Sequence, residues 1–185
     1  MQVSCGSAHT AAITATGSAF SWGEGEFGAL GNASIDDCYS PSLVSHLKER
    51  CIARVSAGAR HTGFVSDNGE CYMVGSNDAG QLGLGSKSMK ELYPKQVTLV
   101  PEQVYMVACG IAHSLFLTTG GSVYSSGANN SGELGIGTKK SSKVPVKIKD
   151  LEHERIRKVD CKSASLALSG EHQSAHKARI PSSVA

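Results

Sequence analysis

Short apolar runs come in pairs along this chain, each pair folded about a glycine. Residues 9–23, HTAAITATGSAFSWG, are two β-prone runs around Thr16-Gly17. Residues 61–75, HTGFVSDNGECYMVG, put Asn68-Gly69 at the same point, and residues 113–127, HSLFLTTGGSVYSSG, put Gly120-Gly121 there. Asn-Gly and Gly-Gly predict two-residue hairpin turns with both residues at positive φ. The spacing of Tyr72 with Val74, and of Val123 with Ser125, predicts half-buried strands with one wet face. Each pair is followed by a glycine-rich turn ending in Leu-Gly, then by a polar stretch holding Pro41, Pro94 or Pro145. That stretch shifts register between copies, which predicts loops over 32–47, 86–101 and 138–151.

The copies keep one period. Val3, Val55 and Val107 open equivalent segments 52 residues apart, and Val159 opens a fourth. Gly6, Gly58 and Gly110 correspond, as do His9, His61 and His113, then Gly23, Gly75 and Gly127. Gly28-Ala29-Leu30-Gly31 answers Gly80-Gln81-Leu82-Gly83 and Gly132-Glu133-Leu134-Gly135. A β-rich unit of about 50 residues stacked on copies of itself predicts a propeller. The fold expected is therefore all-β: a partial β-propeller of three full blades (3–54, 55–106, 107–158) and the start of a fourth (159–169). The fourth copy departs, with Lys162 in the glycine position and Ser165 in the histidine position. After Gly170 the pattern stops, so 170–185 is expected to be an unstructured tail.

Composition narrows the function classes. Net charge is +2 and charged residues make up 18% of the 185, which fits neither an acidic disordered chain nor a generally basic nucleic-acid binder. No apolar run is long enough to span a membrane, and the first residues lack a leader's basic start and apolar stretch. The six cysteines show no CxxC pair, so they are expected to be free thiols of an intracellular protein, without metal or cofactor.

Candidate chemistry reduces to architecture at most positions. Residues 23–28 spell GxGxxG, but no amphipathic helix follows to hold a pyrophosphate, so Gly25 reads as a turn residue. Asn77 and Asn129 take its place in the other copies and are expected to tolerate left-handed geometry there. One histidine per unit is expected to be structural, its ring bonded to nearby backbone. Cys5, Cys109 and Cys161 share a position with Ala57, which points to a small buried apolar slot. Charge is uneven: residues 1–50 carry net −3 and residues 139–158 net +5. Lys139, Lys140, Lys143, Lys147 and Lys149 therefore form a candidate basic interaction surface.

The pattern V-x-C-G-x-x-H-T, D-x-G-x-x-Y-x-x-G, N-x-x-G-Q-L-G-x-G resembles the repeat of the regulator of chromosome condensation family. The second unit carries it best, through Gly58, His61-Thr62, Asp67-Asn68-Gly69, Tyr72, Gly75, Asn77, Gly80-Gln81-Leu82-Gly83 and Gly85. The resemblance spans Val3 to about Ser169. It implies a seven-bladed ring with four antiparallel strands per blade. Residues 72–88, the segment VPEQVYMVACG (100–110) and residues 118–137 are further similar to the propeller of a ciliary-base GTPase regulator. The family's ultraviolet photoreceptors rely on a tryptophan cluster, and Trp22 is the only tryptophan here.

Three units cannot close a seven-unit ring. The chain is expected to be part of a longer protein, a free-standing open arc, or one half of a two-copy ring, so remaining blades or a second copy complete it. The function expected is a non-enzymatic scaffold that binds proteins of a small-GTPase or ciliary pathway. It would sit in the cytoplasm or at the cilium base, with the nucleus also open. The resemblance supplies two rivals, guanine-nucleotide exchange on Ran and chromatin binding through 139–158, and a third alternative is a truncated fragment with no function of its own. Nucleic acid is the less favoured partner, because no aromatics are interleaved with the lysines.

Overall fold

In the computed structural model, residues 1–162 and 165–172 are described. Fourteen strands occur among them: β1 (Gln2–Cys5), β2 (His9–Ile13), β3 (Ala19–Gly23), β4 (Cys38–Leu43), β5 (Ile52–Ala57), β6 (His61–Ser66), β7 (Cys71–Ser76), β8 (Lys90–Gln96), β9 (Val104–Cys109), β10 (His113–Thr118), β11 (Val123–Gly127), β12 (Ser142–Lys147), β13 (Glu154–Lys162) and β14 (Ser165–His172). They form three four-stranded sheets in sequential order, β1–β4, β5–β8 and β9–β12, and a two-stranded sheet of β13 and β14. All pairings are antiparallel. The arc is the partial propeller that the repeat predicts.

The sheets stack as blades, and the core lies in the seams between them. Ile13, Leu47, Val55 and Phe64 belong to the cluster between the first and second blades. Met73, Leu82, Val107 and Phe116 belong to the next cluster. Leu115, Leu117, Ile156 and Val159 close the third blade against β13. A blade between two neighbours has no wet face in its middle strands. β6, β7, β10 and β11 are accordingly buried at every residue. This corrects the expectation of half-buried strands at Tyr72–Val74 and Val123–Ser125. β2 and β3, the middle strands of the blade with a single neighbour, alternate instead.

Three local expectations also change. First, Gly17, Gly69 and Gly121 have φ of 82°, 83° and 89°, but the residues before them do not have positive φ. Gly69 N–H bonds to Ser66 O at 3.1 Å and Ser66 N–H to Glu70 O at 2.9 Å, a type I turn closed by a left-handed glycine. Second, the polar stretches are not all loop. Each contains its blade's outermost strand, β4, β8 or β12, with the proline inside it. An outer strand has a free N–H edge, which is where proline is tolerated. The register shift lies opposite the glycine pair of the third strand in all three blades. Third, pairing of Glu154 with His172, Arg155 with Glu171 and Ile156 with Gly170 brings 170–172 into β14. The tail expectation is corrected for those three residues, and 173–185 lie outside the described residues.

Candidate interaction surface

The repeated glycine and histidine act as one unit. A Cβ on Gly58 would stand 2.5 Å from Gly110 O of the next blade and 2.6 Å from His61 Cε1. Gly6 is enclosed in the same way by Gly58 O and the His9 ring, and Gly110 by the His113 ring. Only glycine lets the imidazole lie flat against the chain there. The ring then reaches across the seam. His9 Nε2 lies 2.8 Å from Thr62 Oγ1, and Thr62 Oγ1 donates to Ala29 O at 2.7 Å. His61 Nε2 lies 2.9 Å from Ser114 Oγ, which donates to Gln81 O at 2.7 Å. Each hydroxyl spends its one proton on the carbonyl, so Nε2–H of the histidine is the donor to it. The histidines are structural, but their partner is the next blade's hydroxyl and not backbone.

Imidazole beside a hydroxyl is also the geometry of an activated nucleophile. The chemistry fails on three counts. The hydroxyl proton points at a carbonyl, both groups are buried, and His61 Nδ1 has no partner to orient the ring. Burial pushes His9 down to about 4 and His61 to about 3, and it lowers His113 as well, so the rings are neutral. The fourth copy carries Leu166 where the others carry the hydroxyl, and His113 Nε2 is buried without a hydrogen-bond partner.

The turn glycines lock a second contact. A Cβ on Gly80, at φ +86°, would stand 2.5 Å from Lys143 Cα, and one on Gly83 would stand 3.1 Å from Pro145 Cγ. A Cβ on Gly28 would meet Leu92, and one on Gly31 would stand 3.3 Å from Pro94. Ala33 N–H bonds to Leu92 O and Gly85 N–H to Lys143 O, both at 2.9 Å. So the first two Leu-Gly turns dock on the next blade's outer strand. In the third, a Cβ on Gly132 would have nothing within 4 Å. Gly75 and Gly127, at φ +108° and +113°, press on the backbone at Arg60–His61 and Ala112–His113. Asn77 and Asn129 do not take left-handed φ. They clamp the turn instead. Asn77 Oδ1 accepts from Leu82 N–H, and its Nδ2 donates to Ser88 O; Asn129 does the same with Leu134 and Thr138.

The five lysines do not converge. Lys139 and Lys140 precede β12, Lys143 lies on the seam against Gly80, Lys147 pairs with Glu152 at 3.1 Å, and Lys149 follows the strand. From Lys140 to Lys147 the extended chain runs roughly 23 Å. Lysines on an outer strand also deter edge-to-edge pairing. The Cys5 slot is buried at Ala57 and Cys109 but exposed at Cys5. Burial raises Cys109 to about 12 and lifts the Cys71 and Cys161 thiols too, which leaves them protonated and inert. Among the described residues no group of three or more histidines, cysteines or carboxylates could hold a metal.

What remains for recognition is the turns and connectors at the two ends of the blades. At one end, a cleft of about 440 Å3 is walled by Glu24, Arg60, Asp78 and Ile111. Arg60 lies 4.2 Å over the Phe27 ring. Asp78 is held by Ser76 Oγ, Gln81 Nε2 and Ala79 N–H, which keep its carboxyl below the usual range. Ile111 is 52% exposed beside these charges. Sequence reasoning missed this cleft because its walls come from three blades. The only signal was that Glu24 and Arg60 break the repeat.

A family model of the regulator of chromosome condensation (RCC1) repeat matches residues 16–65, 68–117 and 120–163. The chain belongs to that family. Its units are offset from the blades: the first two begin at a β-hairpin turn and end inside the next sheet, at residues 65 and 117, so the family repeat itself spans a seam. Similar curated proteins include the human E3 ubiquitin-protein ligase HERC2, 36% identical over 170 residues, which is 90% of this chain and 4% of the ligase. The Arabidopsis thaliana ultraviolet-B receptor UVR8 is 33% identical over 85% of this chain and 36% of its own length. The chain thus spans a small part of these relatives. Prp20p of Saccharomyces cerevisiae shares the fold with a TM-score of 0.84 at 23% identity, covering 94% of this chain and 44% of that one. No helix among the described residues is long and apolar enough to cross a membrane.

Proposed function

We propose that this chain is a non-enzymatic protein-interaction module of the RCC1-repeat type, in which rigid blades hold dissimilar connectors in a fixed array. One observation carries this reading: the residues that build the seams recur every 52 positions, while Glu24 (Ser76 and Ala128 in the other copies) and Arg60 (Ala8 and Ala112) at the blade ends do not recur. In a repeat protein the frame must repeat, and positions released from it are available for recognition. RCC1-repeat relatives serve regulation in several settings; Prp20p, for one, has binding properties towards Gsp1p and histones. A small-GTPase or ciliary assembly is the finer setting we propose. It rests on the resemblance of residues 72–88 and 118–137.

The test is to exchange connectors between blades. Residues 24–37 replaced by 76–89 should leave the urea midpoint close to wild type, because both connectors serve the same frame. Cross-linking mass spectrometry in cells would then compare the captured proteins. Loss of specific partners with the exchanged connector supports the module. An unchanged partner set after exchange of every connector refutes it.

A further inference from the structure

Two of the three Leu-Gly turns are covered, and the third is open. Ala33 N–H donates to Leu92 O in the first seam and Gly85 N–H to Lys143 O in the second. Two residues later the same strand lays a proline on the turn, Pro94 against Gly31 and Pro145 against Gly83. One pattern therefore fills both sites, an extended triplet ending in proline: Leu92-Tyr93-Pro94 in β8 and Lys143-Val144-Pro145 in β12. The third turn has the same backbone. Gly132, Gly135 and Gly137 hold φ of +90°, +64° and +74°, against +86°, +66° and +65° at Gly80, Gly83 and Gly85. Among the described residues, no strand of the next sheet lies on it. Gly132 is exposed where Gly28 and Gly80 are buried, and Gly137 N–H has no hydrogen-bond partner among those residues. A cleft of about 420 Å3 runs from Gly135, Ile136 and Gly137 to Val146 and Lys147.

We propose that this cleft binds an extended, proline-containing segment of a partner protein. The first residue of a triplet gives its carbonyl to Gly137 N–H, and the proline two residues on packs against Gly135. The two covered turns define that occupant, because they show what the same backbone receives. The size of the opening agrees. β13 already packs on the third blade through Ile156 and Val159, and β13 and β14 are the inner half of the next sheet. A whole blade of a second copy does not fit beside them, and a single extended strand does. Proline suits the task for two reasons. Its fixed φ leaves less freedom to lose on binding, and it carries no N–H to strand on the outer edge. The turn is preformed, so its side of the contact needs no rearrangement. The inference deepens the interaction-module reading and rests on it.

Two-dimensional NMR of the whole isotope-labelled chain tests this, with the end-blocked peptide SKVPVK, the sequence of β12, as the probe. Saturable shifts are expected at the amides of residues 132–138, with a Kd of about 1 mM. The same peptide with alanine in place of proline should bind about fivefold more weakly. Gly132→Ala sets a Cβ where the occupant's backbone lies, as a Cβ on Gly80 would stand 2.5 Å from Lys143 Cα. It should weaken binding by about tenfold and leave the remaining amides in place. The pair of peptides reads the site without touching the fold. No shift at 132–138, shifts confined to the covered turn at 80–85, or equal binding of the two peptides overturns the proposal. Shifts at 132–138 that follow the chain's own concentration without peptide also overturn it, because they give the cleft to a second copy. If the peptide fails while connector exchange still changes the cellular partners, the cleft assignment falls and the interaction module stands.

Discussion

Gly80 and Gly132 occupy the same place in successive blades, with φ of +86° and +90°. They differ only in what faces them. A Cβ at Gly80 meets Lys143 Cα at 2.5 Å and Lys143 Cγ at 2.8 Å, whereas at Gly132 it meets nothing within 4 Å. Alanine at either site pays for left-handed backbone at roughly 1–2 kcal/mol, partly offset by about 0.4–1 kcal/mol from a stiffer unfolded chain. Gly80→Ala must also push the β12 backbone away, an overpacking cost of about 1–3 kcal/mol. The expected difference between the variants is therefore about 1–3 kcal/mol, or roughly 3–10 °C in Tm for a chain of this size. Urea melts followed by circular dichroism would read it as a lower midpoint for Gly80→Ala at unchanged m. Equal destabilisation would refute the reasoning. Equal large losses would mean that the third turn is covered in solution, and equal small ones that the seam is looser than described.

Acid should unfold the arc through its histidines. Their folded values lie below the ordinary 6.5, so the unfolded chain takes protons first. Stability is then complete above about 6.5 and falls as pH drops towards 4, by roughly 3 kcal/mol for His9 alone; a urea midpoint flat between pH 7 and 4.5 would contradict this. Thr62→Val should cost about 1–3 kcal/mol by stranding His9 Nε2–H and Ala29 O, and a neutral outcome would remove the relay. Thiol labelling of the native protein should modify exposed Cys5 promptly. Cys51, exposed but held up by Asp67, should follow, and Cys71 and Cys109 should react only on unfolding. Fast labelling of Cys109 would show that the second seam opens.

The sequence by itself determined the blade. A 52-residue period, a glycine that lets an imidazole lie flat, and a Leu-Gly turn are local demands repeated in each copy. They survive as residue identities whatever surrounds them. The resemblance drawn from them named the family correctly. Only the tertiary structure decided which faces are dry. Tyr72–Val74 and Val123–Ser125 alternate like strands with one wet side, yet neighbouring blades bury both sides. The outer strands were hidden because proline and polar residues suit an unpaired edge as well as a loop. The cleft at the blade ends was illegible for a related reason. Arg60 and Asp78 of the second blade wall it together with Glu24 of the first and Ile111 of the third, at separations that no linear pattern records. A period fixes what each copy does for its neighbour, and where the period is broken only packing tells which of the odd residues meet.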